Sequence, residues 1–107
     1  MADDDAIFHY PGGAPIPAVH PGATLRDEIK ARSLTANSVA LALRVPANRL
    51  TGIIRGERGI SAETALRLGR FFGTGAAFWV NLQARYDLAI AERDLGKKIA
   101  SEVKPAA

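Results

Sequence analysis

The stretch ANSVALALRVPANRLTGIIR, residues 36–55, decides the fold of this chain. Apolar side chains recur over residues 36–43 at the spacing of one buried helix face, which predicts a helix there. Pro46 suits the first turn of a helix, because its fixed φ fits and its missing N–H costs nothing, so a second helix is predicted over residues 46–55. A turn of only about three residues joins the two, and helices joined so closely must cross steeply.

The apolar residues of this stretch have the offsets of a helix-turn-helix pair. Val39 and Leu43 on the first helix, Val45 in the turn, and Leu50 and Ile53 on the second are spaced to meet in one core. In a helix-turn-helix, the second helix reads the major groove of DNA. The alternative is a packing unit that binds no nucleic acid, since helix pairs are common and most do not bind DNA.

Polar and basic side chains occupy the face of the second helix that the core leaves open. That face is predicted to consist of Ala47, Asn48, Arg49, Thr51, Gly52 and Arg55. Asparagine and arginine match the edges of adenine and guanine in the major groove. Asn37 and Ser38 start the first helix, where short polar side chains and backbone N–H groups suit a phosphate. Arg55 and Arg58 flank the following loop and are candidates to contact the opposite strand, although all of these side chains could equally be solvated surface.

One residue departs from the motif. The turn position before Val45 usually holds glycine because its backbone tends to take a positive φ, and here it is Arg44. A side chain in that conformation costs on the order of 1 kcal/mol. The turn is therefore expected to be either slightly strained or differently shaped.

Three further helices flank this pair, and the fold class predicted is an all-α, five-helix domain. These helices are expected over residues 23–33, 62–72 and about 76–95, with Thr24 and Ser61 as caps and Gly73 and Gly96 as stops. The domain organisation is a Pro/Gly-rich N-terminal arm over 1–21, the helical domain over 22–96 and a polar C-terminal tail over 97–107. Ile7, Phe8 and Tyr10 could dock the arm, for instance as a short strand.

Composition sets the class of protein. The 107 residues are 48% hydrophobic and 23% charged, which is ordinary for one globular domain. They include no cysteine, so disulfides and thiolate zinc sites are excluded. No apolar run approaches the roughly 20 residues of a membrane span, and the acidic N-terminus is unlike a signal peptide, so a cytoplasmic, nucleoid-associated protein is expected. Arginine is dense between residues 44 and 70, which favours phosphate or base contacts over a merely hydrated surface.

The residue pattern does not indicate catalytic activity. His9 and His20 are the only histidines, and neither has a metal-ligand spacing. No Gly-rich phosphate loop, nucleophile motif or paired carboxylates occur. We therefore expect neither an enzyme nor a bound metal or cofactor.

An aromatic stripe on the last helix is a candidate dimer interface. It consists of Phe78, Trp79, Leu82 and Tyr86, which offer more apolar area than a small helical core needs. A dimer is expected because one short helix reads few base pairs, and two half-sites raise both affinity and discrimination. The alternative is that the stripe belongs to the core, which is the commoner role of such a pattern.

Three stretches together resemble the HigA (also called VapI) antitoxins of the XRE-type, Cro/lambda-repressor-like helix-turn-helix group. They are HPGATLRDEIKARSLT at 20–35, ALRVPANRLTGIIRGERGISAETALRLGRFFGT at 42–74 and FWVNLQARYDLA at 78–89. The resemblance runs from about His20 to Arg93. Relatives often have glycine at the position of Arg44 and a bulkier polar residue at the position of Ala47. Because this chain has alanine there, fewer base contacts are expected from its second helix.

The resemblance implies a lambda-repressor-like fold and two activities. An antitoxin of this group neutralises a HigB toxin, an mRNA-cleaving enzyme of the RelE type, and represses its own operon as a homodimer on a palindromic operator in double-stranded DNA. Carried onto this sequence, the operator-reading face is Ala47, Asn48, Arg49 and Thr51, with Asn37, Ser38, Arg55 and Arg58 as backbone contacts. Two rivals stay open, a stand-alone repressor with no toxin partner and a protein-binding helical module. The acidic residues of the arm are a further hypothesis for toxin contact.

Overall fold

The computed structural model describes residues 18–106, and this part of the chain forms five helices and no strand. The helices are α1 (Pro21–Ala31), α2 (Ala36–Leu43), α3 (Ala47–Ile54), α4 (Ala62–Phe72) and α5 (Ala76–Glu102). The predicted all-α, five-helix fold is therefore confirmed. They form two compact units, Val19–Ala84 and the part of α5 that begins at Arg85. The expectations for Ile7, Phe8 and Tyr10 fall outside the described residues.

Helix α1 begins earlier than predicted. Its N-cap is His20, whose Nδ1 accepts a hydrogen bond from the Gly22 N–H at 2.9 Å, and Pro21 occupies the first turn. The expected cap at Thr24 is therefore wrong, because an imidazole nitrogen takes the role that a hydroxyl usually has. The helix also ends at Ala31 rather than residue 33, since the backbone turns into the left-handed region at Ser33, with φ 55°.

The helix-turn-helix pair forms as predicted. Thr35 caps α2 in a reciprocal capping box with Ser38, and the three residues 44–46 join α2 to α3. Pro46 is the N-cap of α3, one residue before the predicted helical position, because its ψ of 141° is extended. Arg44 adopts the left-handed conformation, with φ 61° and ψ 45°, so the turn has the usual shape and takes a strained residue.

Replacing Arg44 by glycine is expected to raise the free energy of unfolding by about 0.5–1 kcal/mol. Glycine adopts a positive φ without the steric cost of a Cβ, although it gains more entropy on unfolding. Urea denaturation followed by circular dichroism measures the change. Arg44→Ala is the matched control, because it removes the same side chain and keeps the Cβ. A gain of equal size in both variants would contradict the backbone explanation.

The hydrophobic core is formed by the four helices α1, α2, α3 and α4 together with the start of α5. Helix α3 packs against α1 and α2, and α4 packs against α2. The largest fully buried side chains are those of Trp79, Leu25, Leu50, Ile53, Leu68 and Val39. At the N-terminus of α1, Gly22 allows a close approach, because a Cβ there would overlap the backbone carbonyl oxygen of Ile53. The end of α3 is thus held directly against α1.

The predicted caps of α4 are confirmed, and the predicted end of α5 is wrong. Ser61 caps α4 by accepting a hydrogen bond from the Thr64 N–H, and Gly73 ends it in the left-handed conformation. Gly96 does not stop α5, which continues to Glu102. Residues 97–102, predicted to belong to a polar tail, are therefore helical, with a Lys98–Glu102 ion pair at 3.9 Å one turn apart.

Candidate nucleic-acid interface

Helix α3 presents its polar face to the surface. Leu50 and Ile53 are fully buried and fix the helix on its inner side. On the outer side, the four positions predicted to read bases all reach the surface: Ala47 and Asn48 are exposed, and Arg49 and Thr51 are partly exposed. An eight-residue amphipathic helix with this orientation can enter a groove as wide as the major groove of DNA.

Gly52 does not belong to that outer face, and its prediction as an outer residue is wrong. It is buried, and its carbonyl oxygen accepts hydrogen bonds from the N–H groups of Glu57 at 2.8 Å and Arg58 at 3.3 Å. A Cβ at Gly52 would lie 2.8 Å from Cδ of Arg58. The glycine therefore makes room for the stem of Arg58, which it places beside α3.

Arg49 is held by an acidic residue of α4. Its Nη1 lies 4.0 Å from Oε1 of Glu63, and the other carboxylate oxygen of Glu63 lies 3.0 Å from Nη2 of Arg67. Arg67 in turn donates a hydrogen bond to the Leu43 carbonyl at 3.0 Å, which ties α4 to the end of α2. Because Glu63 is 60% exposed, the pair with Arg49 is weak, and a nucleic acid could replace the carboxylate.

The N-terminus of α2 is capped by hydrogen bonds between Thr35 and Ser38. Ser38 donates to the Thr35 carbonyl at 2.9 Å and accepts from the Thr35 N–H at 3.2 Å. Its hydroxyl is therefore already engaged, and a phosphate contact at Ser38 would have to share it. Asn37, beside it, is exposed. The phosphate contacts at Asn37 and Ser38 stay predictions, and the capping role of Ser38 was not predicted.

Arg55 and Arg58 lie on the loop that follows α3, and both are exposed. The loop turns at Gly56, which has φ 75°, and is anchored by a 2.7 Å hydrogen bond from the Ile60 N–H to Oε1 of Gln83. Among residues 18–106, neither arginine forms an ion pair with an acidic side chain. Two guanidinium groups without an acidic partner in this part of the chain thus stand beside the exposed face of α3.

The four residues of the predicted dimer interface differ in exposure. Trp79 is fully buried, and its indole N–H donates to Oγ1 of Thr74 at 2.9 Å. The prediction that Trp79 contributes to an interface is therefore wrong, because its ring belongs to the core of the protomer. Phe78 is 40% exposed, whereas Leu82 and Tyr86 are partly buried.

The described part of the chain holds no group of histidine, aspartate or glutamate side chains arranged to bind a metal ion. Its helices also include none with the length and apolar character needed to cross a membrane. The surface formed by α2, α3 and the loop after α3 is the candidate site, because the exposed polar and basic side chains described above lie on it.

A family model described as helix-turn-helix, HTH_3, matches residues 25–79, which include α2, α3 and α4. The chain belongs to the helix-turn-helix family. It is 50% identical over 80 residues to virulence-associated protein I of Dichelobacter nodosus, an alignment that covers 74% of each chain. The predicted resemblance to the HigA and VapI proteins is confirmed by this relative and by two solved structures.

Each of the two solved structures is similar to this chain over most of its own length and over most of the length of this chain. One is an addiction module antidote protein of the HigA family from Coxiella burnetii, with TM-score 0.81 and 46% identity over 84% of this chain and 99% of that one. The other is the Pseudomonas aeruginosa antitoxin HigA with the higBA promoter, with TM-score 0.82 and 44% identity over 85% of this chain and 100% of that one. The helix-turn-helix chain described here thus resembles an antitoxin solved with promoter DNA.

Proposed function

We propose that this helix-turn-helix protein is an antitoxin-type repressor that binds operator DNA through α3. The observation that supports this best is the orientation of α3, whose inner side is buried at Leu50 and Ile53 and whose outer side is open at Asn48 and Arg49. The similarity to an antitoxin solved with its promoter points to the same function. The guanidinium groups of Arg55 and Arg58, which have no acidic partner among residues 18–106, would add affinity for the DNA backbone.

The residues divide into two roles. Ala47, Asn48, Arg49 and Thr51 form the base-reading face, in which arginine suits guanine and asparagine suits adenine. Asn37, Ser38, Arg55 and Arg58 contact the phosphates and set the register of the helix in the groove. Thr51 donates to the carbonyls of Ala47 and Asn48 within α3, so its methyl group is its better base contact. Ala47 offers only a methyl group as well, which leaves Asn48 and Arg49 as the polar readers.

We propose that the protein binds the operator as a homodimer. Two copies of α3, placed one helical turn of DNA apart, would read both halves of a palindrome. Phe78, Leu82 and Tyr86 remain the proposed interface on the first part of α5, without the buried Trp79. A gel-shift titration with the DNA upstream of the chain's own reading frame tests operator binding. A steep loss of affinity with salt is expected from the phosphate contacts, and failure to shift this DNA would contradict the proposal.

Arg49→Ala is expected to weaken operator binding by about 1–3 kcal/mol and to relax the sequence preference at one base pair. The guanidinium would lose its bidentate contact with guanine, and the pair with Glu63 would be lost as well. Competition gel shifts with operator and scrambled duplexes measure both effects. Arg70→Ala is the matched control, because it removes an exposed arginine from the far end of α4. A loss at Arg49 that is equal for all sequences would make this residue a phosphate contact.

Neutralisation of a HigB-type toxin is the second part of the proposal. The similarity to a HigA-family antidote protein supports it, independently of the proposed role of α3 in DNA binding. Co-expression with the product of the neighbouring reading frame tests it, because an mRNA-cleaving neighbour should be toxic alone and harmless with this protein. Deleting residues 1–19 tests the acidic arm, and undiminished neutralisation would exclude it. A neighbour without toxicity would favour the stand-alone repressor.

A further inference from the structure

The stretch FWVNLQARYDLA, residues 78–89, contributes a contact to the candidate nucleic-acid interface that the two proposed residue roles do not include. Oε1 of Gln83, on α5, accepts a hydrogen bond from the Ile60 N–H at 2.7 Å. The two residues are 23 positions apart, so this bond fixes the end of the loop after α3 to a separate helix. Both belong to the same compact unit, Val19–Ala84. Gln83 is therefore a candidate to position the side chains that the loop carries.

The Gln83 carboxamide also lies directly against the backbone of Gly59. A Cβ at Gly59 would be 3.0 Å from Oε1 of Gln83 and 3.1 Å from both its Cδ and its Nε2. These distances leave little room for a side chain, although Gly59 is not among the glycines with a positive φ. The glycine is thus explained by the close approach of the carboxamide and not by its backbone conformation.

The first part of the same loop is fixed to α3. The Gly52 carbonyl accepts hydrogen bonds from the N–H groups of Glu57 at 2.8 Å and Arg58 at 3.3 Å. The stem of Arg58 packs over Gly52, where a Cβ would lie 3.1 Å from Cγ and 2.8 Å from Cδ of Arg58. The next two residues are held by Gln83. The backbone of Arg58 therefore lies where the two anchors of the loop meet.

Arg55, the other arginine of this loop, depends on α3 alone. It is the C-cap of α3, with φ −80° and ψ −3°, and its N–H donates to the Thr51 carbonyl at 3.0 Å. The helix itself thus places Arg55, whereas the placement of Arg58 also involves Gln83. This difference allows the contributions of the two arginines to be separated by substitution.

We infer that Gln83 is a positioning residue for the proposed phosphate contact of Arg58. Its hydrogen bond to Ile60 keeps the loop against the domain, so the guanidinium is held where the DNA backbone would pass beside α3. Without this anchor, the loop would have to be ordered when DNA binds, and the conformational entropy lost at that moment would weaken the complex. Gln83 does not contact the DNA in this arrangement. The role rests on the proposed DNA binding, and on neither dimerisation nor toxin binding.

Amide hydrogen exchange of the full chain, followed by NMR without DNA, tests the anchor. Gln83→Met keeps a side chain of similar length and removes the amide oxygen, so the Ile60 N–H should exchange about 5-fold faster or more. Gln83→Glu keeps an acceptor oxygen and should keep Ile60 protected. Thr74→Val is the matched control, because it removes the 2.9 Å hydrogen bond from the Trp79 indole to Thr74 at another point of α5. Equal exchange of Ile60 in Gln83→Met and the unmodified chain would overturn the inference.

Gel shifts with the upstream DNA and with a scrambled duplex of equal length test the role in binding. We expect Gln83→Met to weaken binding to both duplexes by a similar factor, about 3- to 20-fold, because a phosphate contact is made on any sequence. The slope of log affinity against log salt concentration should fall by up to about 1. Thr74→Val should leave the affinity and the slope unchanged while lowering the urea midpoint. A merely structural role of Gln83 would affect the two variants alike.

Double variants show whether Gln83 acts through Arg58. Gln83→Met should add little to the loss caused by Arg58→Ala, whereas its loss should multiply with that of Arg55→Ala. A full multiplicative loss with Arg58→Ala would overturn the inference. If the unmodified chain binds the upstream DNA and Gln83→Met binds it equally well, the inference is overturned and the proposed function stands. An unmodified chain that binds neither duplex would overturn both.

Discussion

Replacing Trp79 by alanine is expected to lower the free energy of unfolding by about 3–5 kcal/mol. The indole is fully buried, and its ring centroid lies 5.8 Å from that of Phe72 and 5.1 Å from that of Phe78. Alanine would leave a cavity at this site and would remove the hydrogen bond to Thr74. Since small domains are stable by only about 5–15 kcal/mol, the loss should be visible as a much earlier urea midpoint.

Phe78→Ala is the control for Trp79, because it removes a neighbouring ring that is 40% exposed. We expect it to cost less than half as much, since a ring that is partly in water loses less by truncation. The two variants also separate a core residue from an interface residue. If Trp79→Ala changed the dimer dissociation constant and left the unfolding of the monomer unchanged, the assignment of Trp79 to the core would be wrong.

Replacing Gly22 by alanine is the second large effect, with an expected cost of about 3 kcal/mol or more. The added Cβ would overlap the Ile53 carbonyl oxygen and lie 3.0 Å from that of Ile54. Both obstacles are backbone atoms of α3, so neither can move away by rotating a side chain. The start of α1 would have to separate from the end of α3, and operator binding should fall with stability because α3 would be displaced.

Gly52→Ala is the matched control for Gly22. Its Cβ would meet only the side chain of Arg58, at 2.8 Å, and a flexible side chain can move aside. We therefore expect a change in unfolding free energy within about 1 kcal/mol, with the gain in helix propensity offsetting the displacement. Thermal melts at several protein concentrations measure both variants. Equal destabilisation by the two substitutions would contradict the role given to backbone contact at Gly22.

Much of the fold follows from periodicity and capping chemistry. The apolar spacing of Val39, Leu43, Leu50 and Ile53 gave the helix-turn-helix pair, because side chains on one helix face must be buried together. The hydroxyl caps at Thr35 and Ser61 formed as expected, since these residues satisfy N–H groups that a helix leaves unpaired. The exposure of Asn48 and Arg49 could be predicted for the same reason, as the remainder of an amphipathic face.

The features that sequence reasoning missed depend on the tertiary structure or on the context of a single residue. An imidazole is an uncommon cap, so His20 did not indicate a helix start. A glycine usually ends a helix when its backbone is left-handed, but Gly96 remains helical. Helix α5 therefore extends to Glu102, three residues before Pro105. The burial of Trp79 and the pairing of Arg49 with Glu63 depend on how separate helices pack. A local sequence pattern does not predict contacts between separate helices.

The carboxylate that holds Arg49 affects how the proposed repressor would search a genome. On arbitrary sequence, where no guanine edge is within reach, Arg49 would keep its pair with Glu63. At the operator, the bidentate contact with guanine outweighs the surrendered pair. The partner of Arg49 would thus depend on the base pair it meets, and the exchange costs little because the exposed pair with Glu63 is weak.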